Sequence, residues 1–128
     1  MDTRGQHLLL DLWLAEELTN EKAETICELV QRLFQVVQES HWEFHPQGMT
    51  KVFILSESHF TIHTYPEHRF LSLDLYVCDT ELNLLQVKEE ILGLFKLRHA
   101  NHKVILRGHR DSFLEAAPNN SLPDCVAK

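Results

Sequence analysis

Hydrophobic and polar positions along this chain switch between two periods and lay out most of its elements. Residues 7–14, His7-Leu8-Leu9-Leu10-Asp11-Leu12-Trp13-Leu14, are apolar on both faces over most of their length and read as a strand. Over about residues 21–39, Ile26, Leu29, Val30, Leu33, Phe34 and Val37 recur at the i, i+3, i+4, i+7 spacing of a helix with one buried face. Thr19 or Asn20 caps it, and Glu21 suits the positive end of its dipole. Residues 40–45 read as a short strand, followed by the turn signal Pro46-Gln47-Gly48. Residues 52–56 and 60–64 form two strands flanking Glu57-Ser58, and residues 70–77 alternate most clearly of all. A second helix is expected over about residues 81–97, capped by Thr80, with Leu84, Leu85, Ile91, Leu92 and Phe95 inward. Residues 102–106 give a last strand ending at Arg107-Gly108, and from Asp111 the composition turns to that of a fraying tail.

That order predicts an α+β fold, a two-layer sandwich of a largely antiparallel sheet with two helices packed on one face. The other face then needs cover, which favours a dimer with sheet faces opposed. Residues 1–110 make a single domain and 111–128 a flexible tail. No internal repeat is visible.

Composition narrows the function classes. At 128 residues, 44% apolar and 24% charged, this is an ordinary soluble chain. A net charge of −7 with scattered Lys and Arg argues against nucleic-acid binding. No apolar window reaches membrane-spanning length, and the start lacks the apolar run of a secretory signal. Three well-separated cysteines, Cys27, Cys78 and Cys125, with no ligand-spaced pair, suggest a reducing cytoplasm. The nine histidines lack an accompanying carboxylate or Cys set at ligand spacing, so no metal is expected.

The candidate chemistry lies in Ser56-Glu57-Ser58-His59, Ile62-His63-Thr64-Tyr65-Pro66-Glu67 and Cys78. A hydroxyl, an imidazole and a thiol on neighbouring strands suit a reaction needing nucleophile, base and proton donor. Taken singly, Ser58 would be a turn serine, His63 a half-buried strand histidine and Cys78 a small buried apolar residue. Phe44 and Tyr65 would be core aromatics, and Glu67 a solvated turn carboxylate.

The full string is more specific. Gly5-x-His7, Phe44-x-Pro46-Gln47-Gly48, Ser56-Glu57-Ser58-His59-x-x-Ile62-His63-Thr64-x-Pro66-Glu67, Asp74-x-x-x-Cys78 and Arg107-Gly108 run over most of residues 5–108. This pattern resembles the small prokaryotic class of S-adenosylmethionine decarboxylase, a pyruvoyl enzyme of polyamine (spermidine) synthesis. The resemblance implies a proenzyme that cuts itself between Glu57 and Ser58, giving a β chain of residues 1–57 and an α chain of 58–128. Ser58 would become the pyruvoyl cofactor that takes the substrate amine as a Schiff base and acts as electron sink. It assigns His63 to processing, with Thr50 in support, and Cys78 to proton donation. Phe44 and Tyr65 would clamp the adenine and Glu67 would bind the ribose hydroxyls. It further implies a homodimer of cleaved protomers.

Several positions depart from the family pattern. Thr50 stands where serine is usual, Lys51 where glycine is, and Tyr65 where tryptophan is common. Arg69 and Asp79 each replace a glycine, which often supplies a positive φ, and both add charge near the site. Such charge leaves open a pyruvoyl decarboxylase for ornithine or arginine, or a non-catalytic homologue. Retention of Phe44, Tyr65 and Glu67 favours the nucleoside substrate. Five residues of straight strand span roughly 16 Å, so Ser58 and His63 meet only through a bend or across a subunit interface.

Overall fold

The computed structural model describes residues 3–111 and 113–116. Its elements are β1 (Gly5–Leu14), α1 (Asn20–Leu33), β2 (Gln38–Glu43), β3 (Met49–Leu55), β4 (Ser58–Tyr65), a 3-10 turn (Pro66–His68), β5 (Phe70–Val77), α2 (Leu84–Leu92), β6 (Leu97–Arg107) and β7 (Leu114–Glu115). One antiparallel sheet runs in the order β2-β3-β4-β5-β1-β6-β7. The two helices and the antiparallel sheet bear out the expected α+β class.

The core lies on one face of this sheet. Leu8, Leu10, Leu12 and Leu14 of β1 alternate inward beside Leu71, Leu73, Leu75 and Val77 of β5, Phe60 and Ile62 of β4, and Phe53 of β3. Ile26, Cys27, Leu29 and Val30 of α1 and Leu84, Val87 and Ile91 of α2 share the same buried cluster. The opposite face carries His7, Leu9, Asp11, Trp13, Ile54, His59, Thr61, His63, Phe70, Ser72, Asp74 and Tyr76, all half-buried or exposed. β1 is therefore less uniformly apolar than its run of leucines suggests. Its odd positions belong to the open face.

Several boundaries differ from the sequence expectation. α1 stops at Leu33, because Phe34 takes an extended backbone and Val37 N–H is already bonded to Ile54 O. Strand pairing with β3 thus claims residues 38–43, the apolar period notwithstanding. α2 is shorter at both ends. Asn83, not Thr80, accepts the first N–H groups, from Leu85 and Gln86, and Gly93 closes the helix. That frees Leu97 onward to join β6, which pairs with β1 through Gly5↔Arg107. The tail begins later than expected, since Leu114–Glu115 adds to the edge of β6. The rest of the expected tail, 117–128, lies outside the described residues.

Candidate active site

β3 and β4 form a hairpin whose last pair is Leu55↔Ser58, leaving a two-residue turn, Ser56-Glu57. Ser56 sits at φ 66, a left-handed backbone that costs a non-glycine residue about 1 kcal/mol. The Glu57–Ser58 bond thus joins a tight turn to a strand. Cys78, just past the end of β5, grips both sides of it. Its Sγ–H donates to Glu57 O at 3.2 Å, and its backbone N–H donates to Ser58 Oγ at 3.3 Å.

The segment carrying Cys78 is anchored from below. Gln6 is buried, and its Nε2 donates to the carbonyls of Asp79 at 2.9 Å and Leu82 at 2.8 Å. Beside it, a Cβ on Gly5 would lie 2.8 Å from both Val77 O and the Tyr76 hydroxyl, so only glycine lets β1 approach β5 here. Gln6 went unnoticed in the sequence. A polar residue at a strand start carries no periodic signal, and its partners lie more than seventy positions away.

His63 and Thr50 face each other across β3 and β4, with Thr50 Oγ1 2.9 Å from His63 Nδ1. The threonine thus brings the hydroxyl it shares with the usual serine to His63. The pair is five strand residues from Ser58, roughly 16 Å along β4, and no bend closes that gap. Tyr65 lies at the same far end of β4 as His63, its ring 5.6 Å from that of Phe70. Glu67 lies in the 3-10 turn just beyond, and Phe44 reaches that end through its N–H to Gly48 O. The candidate residues thus fall into two groups at opposite ends of β4: Ser58, Glu57 and Cys78 at one, Thr50, His63, Phe44, Tyr65 and Glu67 at the other.

Between them, on the open face, a chain of polar side chains crosses four strands. Asp74 Oδ2 is 2.7 Å from His7 Nε2 and 3.3 Å from His59 Nε2. Arg107 Nη1 is 3.2 Å from His7 Nδ1, and its guanidinium stacks 4.8 Å over the Tyr76 ring. Burial pushes the Asp74 carboxyl up, but hydrogen bonds and charge from His7 and His59 outweigh it and hold the group below its ordinary value. His7, His59 and Asp74 have metal-ligand types and converge within 4.8 Å, a grouping that sequence spacing could not show because three strands contribute to it. Arg107 decides against a ligand set. A guanidinium only donates, so His7 Nδ1 accepts and its Nε2 turns a proton toward Asp74 instead of a lone pair.

The two departures from glycine resolve differently. Arg69 does adopt positive φ, at 51, where the 3-10 turn ends. Asp79 does not share that conformation; its carboxylate accepts from Glu81 N–H at 2.8 Å, so glycine is not required there. Cys27 is buried in α1, which pushes its thiol up and suits a packing role. A cleft of about 710 Å³ opens between the start of α1 and the β2–β3 hairpin, but neither Ser58 nor Cys78 lines it. Among the described residues no helix is long and apolar enough to cross a membrane.

Known proteins resemble this chain in sequence and fold. The family model described as S-adenosylmethionine decarboxylase matches residues 6–108. An S-adenosylmethionine decarboxylase proenzyme of Persephonella marina is 34% identical over 111 residues, covering 83% of this chain and 84% of that protein. A proenzyme of Clostridium botulinum is 32% identical over 120 residues, covering 87% of this chain and 100% of its own length. The crystal structure of the adenosylmethionine decarboxylase from Aquifex aeolicus matches with a TM-score of 0.68 at 26% identity, over 88% of this chain and 97% of that one. With the match reaching from the start of β1 to the end of β6, this chain belongs to the S-adenosylmethionine decarboxylase family.

Proposed function

We propose that this chain is a proenzyme that cuts itself between Glu57 and Ser58 and then decarboxylates S-adenosylmethionine, supplying an aminopropyl donor for polyamine synthesis. The observation that carries the reading is the double grip of Cys78 on the scissile bond. Attack of Ser58 Oγ on the Glu57 carbonyl forms a C–O bond and puts negative charge on the carbonyl oxygen. The Cys78 thiol already donates to that oxygen, and its N–H steadies the attacking one. The C–N bond then breaks and the serine proton passes to the freed nitrogen, turning amide into ester. Removal of the Ser58 Cα proton, the task given to His63, expels the Glu57 carboxylate and leaves dehydroalanine. Hydrolysis with loss of ammonia yields a pyruvoyl group on the new N-terminus.

Ser58's surroundings fit the making of that group, because the oxygen that must leave with Glu57 is held by the N–H of Cys78 and the Glu57 carbonyl by its thiol. When formed, the pyruvoyl group supplies an electron sink for decarboxylation. Cys78 then delivers a proton to the substrate carbon, Phe44 and Tyr65 hold the adenine between aromatic faces, and Glu67 accepts from the ribose hydroxyls. A cytoplasmic location suits the free thiols of Cys27 and Cys78.

The split between the two ends of β4 supports a homodimer. Two copies with open faces opposed and strands antiparallel bring the Thr50–His63 pair of one protomer over Ser58 of the other. Leu9, Trp42, Ile54 and Tyr65 on that face are exposed apolar residues awaiting cover. The test mixes two precursors. Ser58→Ala and His63→Ala each stay uncut alone, while a refolded mixture cuts its His63→Ala chains, read as two fragments by intact mass. A mixture that stays whole sinks the shared site. Release of CO₂ from S-adenosylmethionine by the cut wild type checks the substrate.

A further inference from the structure

We infer that His59 is a proton relay for Cys78, with Asp74, His7 and Arg107 as the positioning residues that aim its imidazole. The inference rests on the reading of Cys78 as the proton donor in decarboxylation.

The register places the parts. His59 pairs with Tyr76 across β4 and β5. Continued by two positions, the same register sets Cys78 opposite Glu57, where its two hydrogen bonds hold it. Asp74 and Cys78 are therefore the two diagonal neighbours of His59, one on either side of Tyr76. Diagonal neighbours on a sheet face lie about 7–8 Å apart, within reach of a long side chain directly or through one water. One side of the imidazole is fixed by Asp74 Oδ2, which His7 holds from β1 and Arg107 backs from β6. The groups facing His59 are Ile54 from β3, Tyr76 and Asp74 from β5, and His7 from β1, whose ring centroid is 6.0 Å away. Among these described groups none has claimed His59 Nδ1. A strand histidine needed only for packing requires no such chain behind it.

The step balances. CO₂ leaves and its bonding pair stays on the substrate carbon. The Cys78 S–H bond breaks, the proton goes to that carbon, and a thiolate remains. The His59 imidazolium, its Nε2–H held by Asp74, returns a proton from Nδ1 to Sγ and regains one from solvent. Each turnover thus consumes one solvent proton and releases one CO₂.

His59→Gln and Asp74→Asn are compared with wild type in two measurements. One is the pH dependence of kcat. The other is the pH dependence of Cys78 alkylation by iodoacetamide, read by peptide mass spectrometry so that Cys27 and Cys125 are counted apart. In His59→Gln, kcat falls about tenfold or more with KM within about twofold, and the alkylation curve moves to higher pH. Asp74→Asn moves both in the same direction by less. Alkylation can be read on an uncut chain, so failure of a variant to process does not remove the test. A His59→Gln alkylation curve identical to wild type overturns the inference, whatever happens to kcat. Cys78→Ala separates the two readings. If its cut chains decarboxylate at the wild-type rate, Cys78 is not the donor and both fall; if its cut chains lose activity while those of His59→Gln keep it, only the relay falls.

Discussion

Single residues in this chain carry strain and charge that the fold does not itself require. Arg69 takes φ 51 at the end of the 3-10 turn, a conformation that glycine adopts freely. Arg69→Gly relieves that cost but adds freedom to the unfolded chain, so a net gain of at most about 0.5 kcal/mol is expected, read as a slightly higher urea midpoint. Asp74 gives a pH dependence. Its folded carboxyl titrates below the ordinary 3.8, so its stabilisation is fully present above that value and is lost as pH falls through the lower folded one. Asp74→Asn should therefore cost about 1–2 kcal/mol near neutrality, with the gap to wild type narrowing below about pH 4. A gap independent of pH in urea titrations contradicts the assignment.

Elements were legible where period and burial agree, and misread where a local device took over. Residues 70–77 alternate cleanly because one face meets the core and the other does not, and β5 occupies that range. α1 was expected too long because Phe34 and Val37 extend its apolar stripe. Pairing of β2 with β3 decides that boundary, and pairing is non-local. α2 was misplaced because Thr80 and Asn83 are both good caps, and only the structure shows that Asn83 Oδ1 meets the free N–H groups of Leu85 and Gln86. Asn83→Ala should then cost about 1 kcal/mol, against a few tenths for Thr80→Ala, in thermal unfolding. The site follows the same division. Ser58, His63 and Cys78 were legible as a motif, whereas the grip of Cys78 on Glu57 and the Asp74 cluster depend on register between strands far apart in sequence.

For the whole molecule, the unequal faces of the sheet matter most. One face is sealed by two helices, while the other exposes Leu9 at 38%, Ile54 at 40% and Trp42 at 71%. It also separates Ser58 from His63 by roughly 16 Å. The proposed second copy on the open face would meet both needs at once, covering apolar surface and completing the chemistry. Ile54→Glu puts a charge on that face, beside the β3–β4 turn, without touching the helix-side core. Sedimentation should show wild type as a dimer and the variant as a monomer with unchanged far-UV circular dichroism. Burying an unpaired charge costs several kcal/mol at an interface, so self-cleavage should slow at micromolar concentration. Raising the concentration of the variant should restore cleavage by mass action. Direct damage to the neighbouring His59 would leave the rate independent of concentration. A variant that cuts at the wild-type rate while remaining monomeric would show that one protomer contains a complete site.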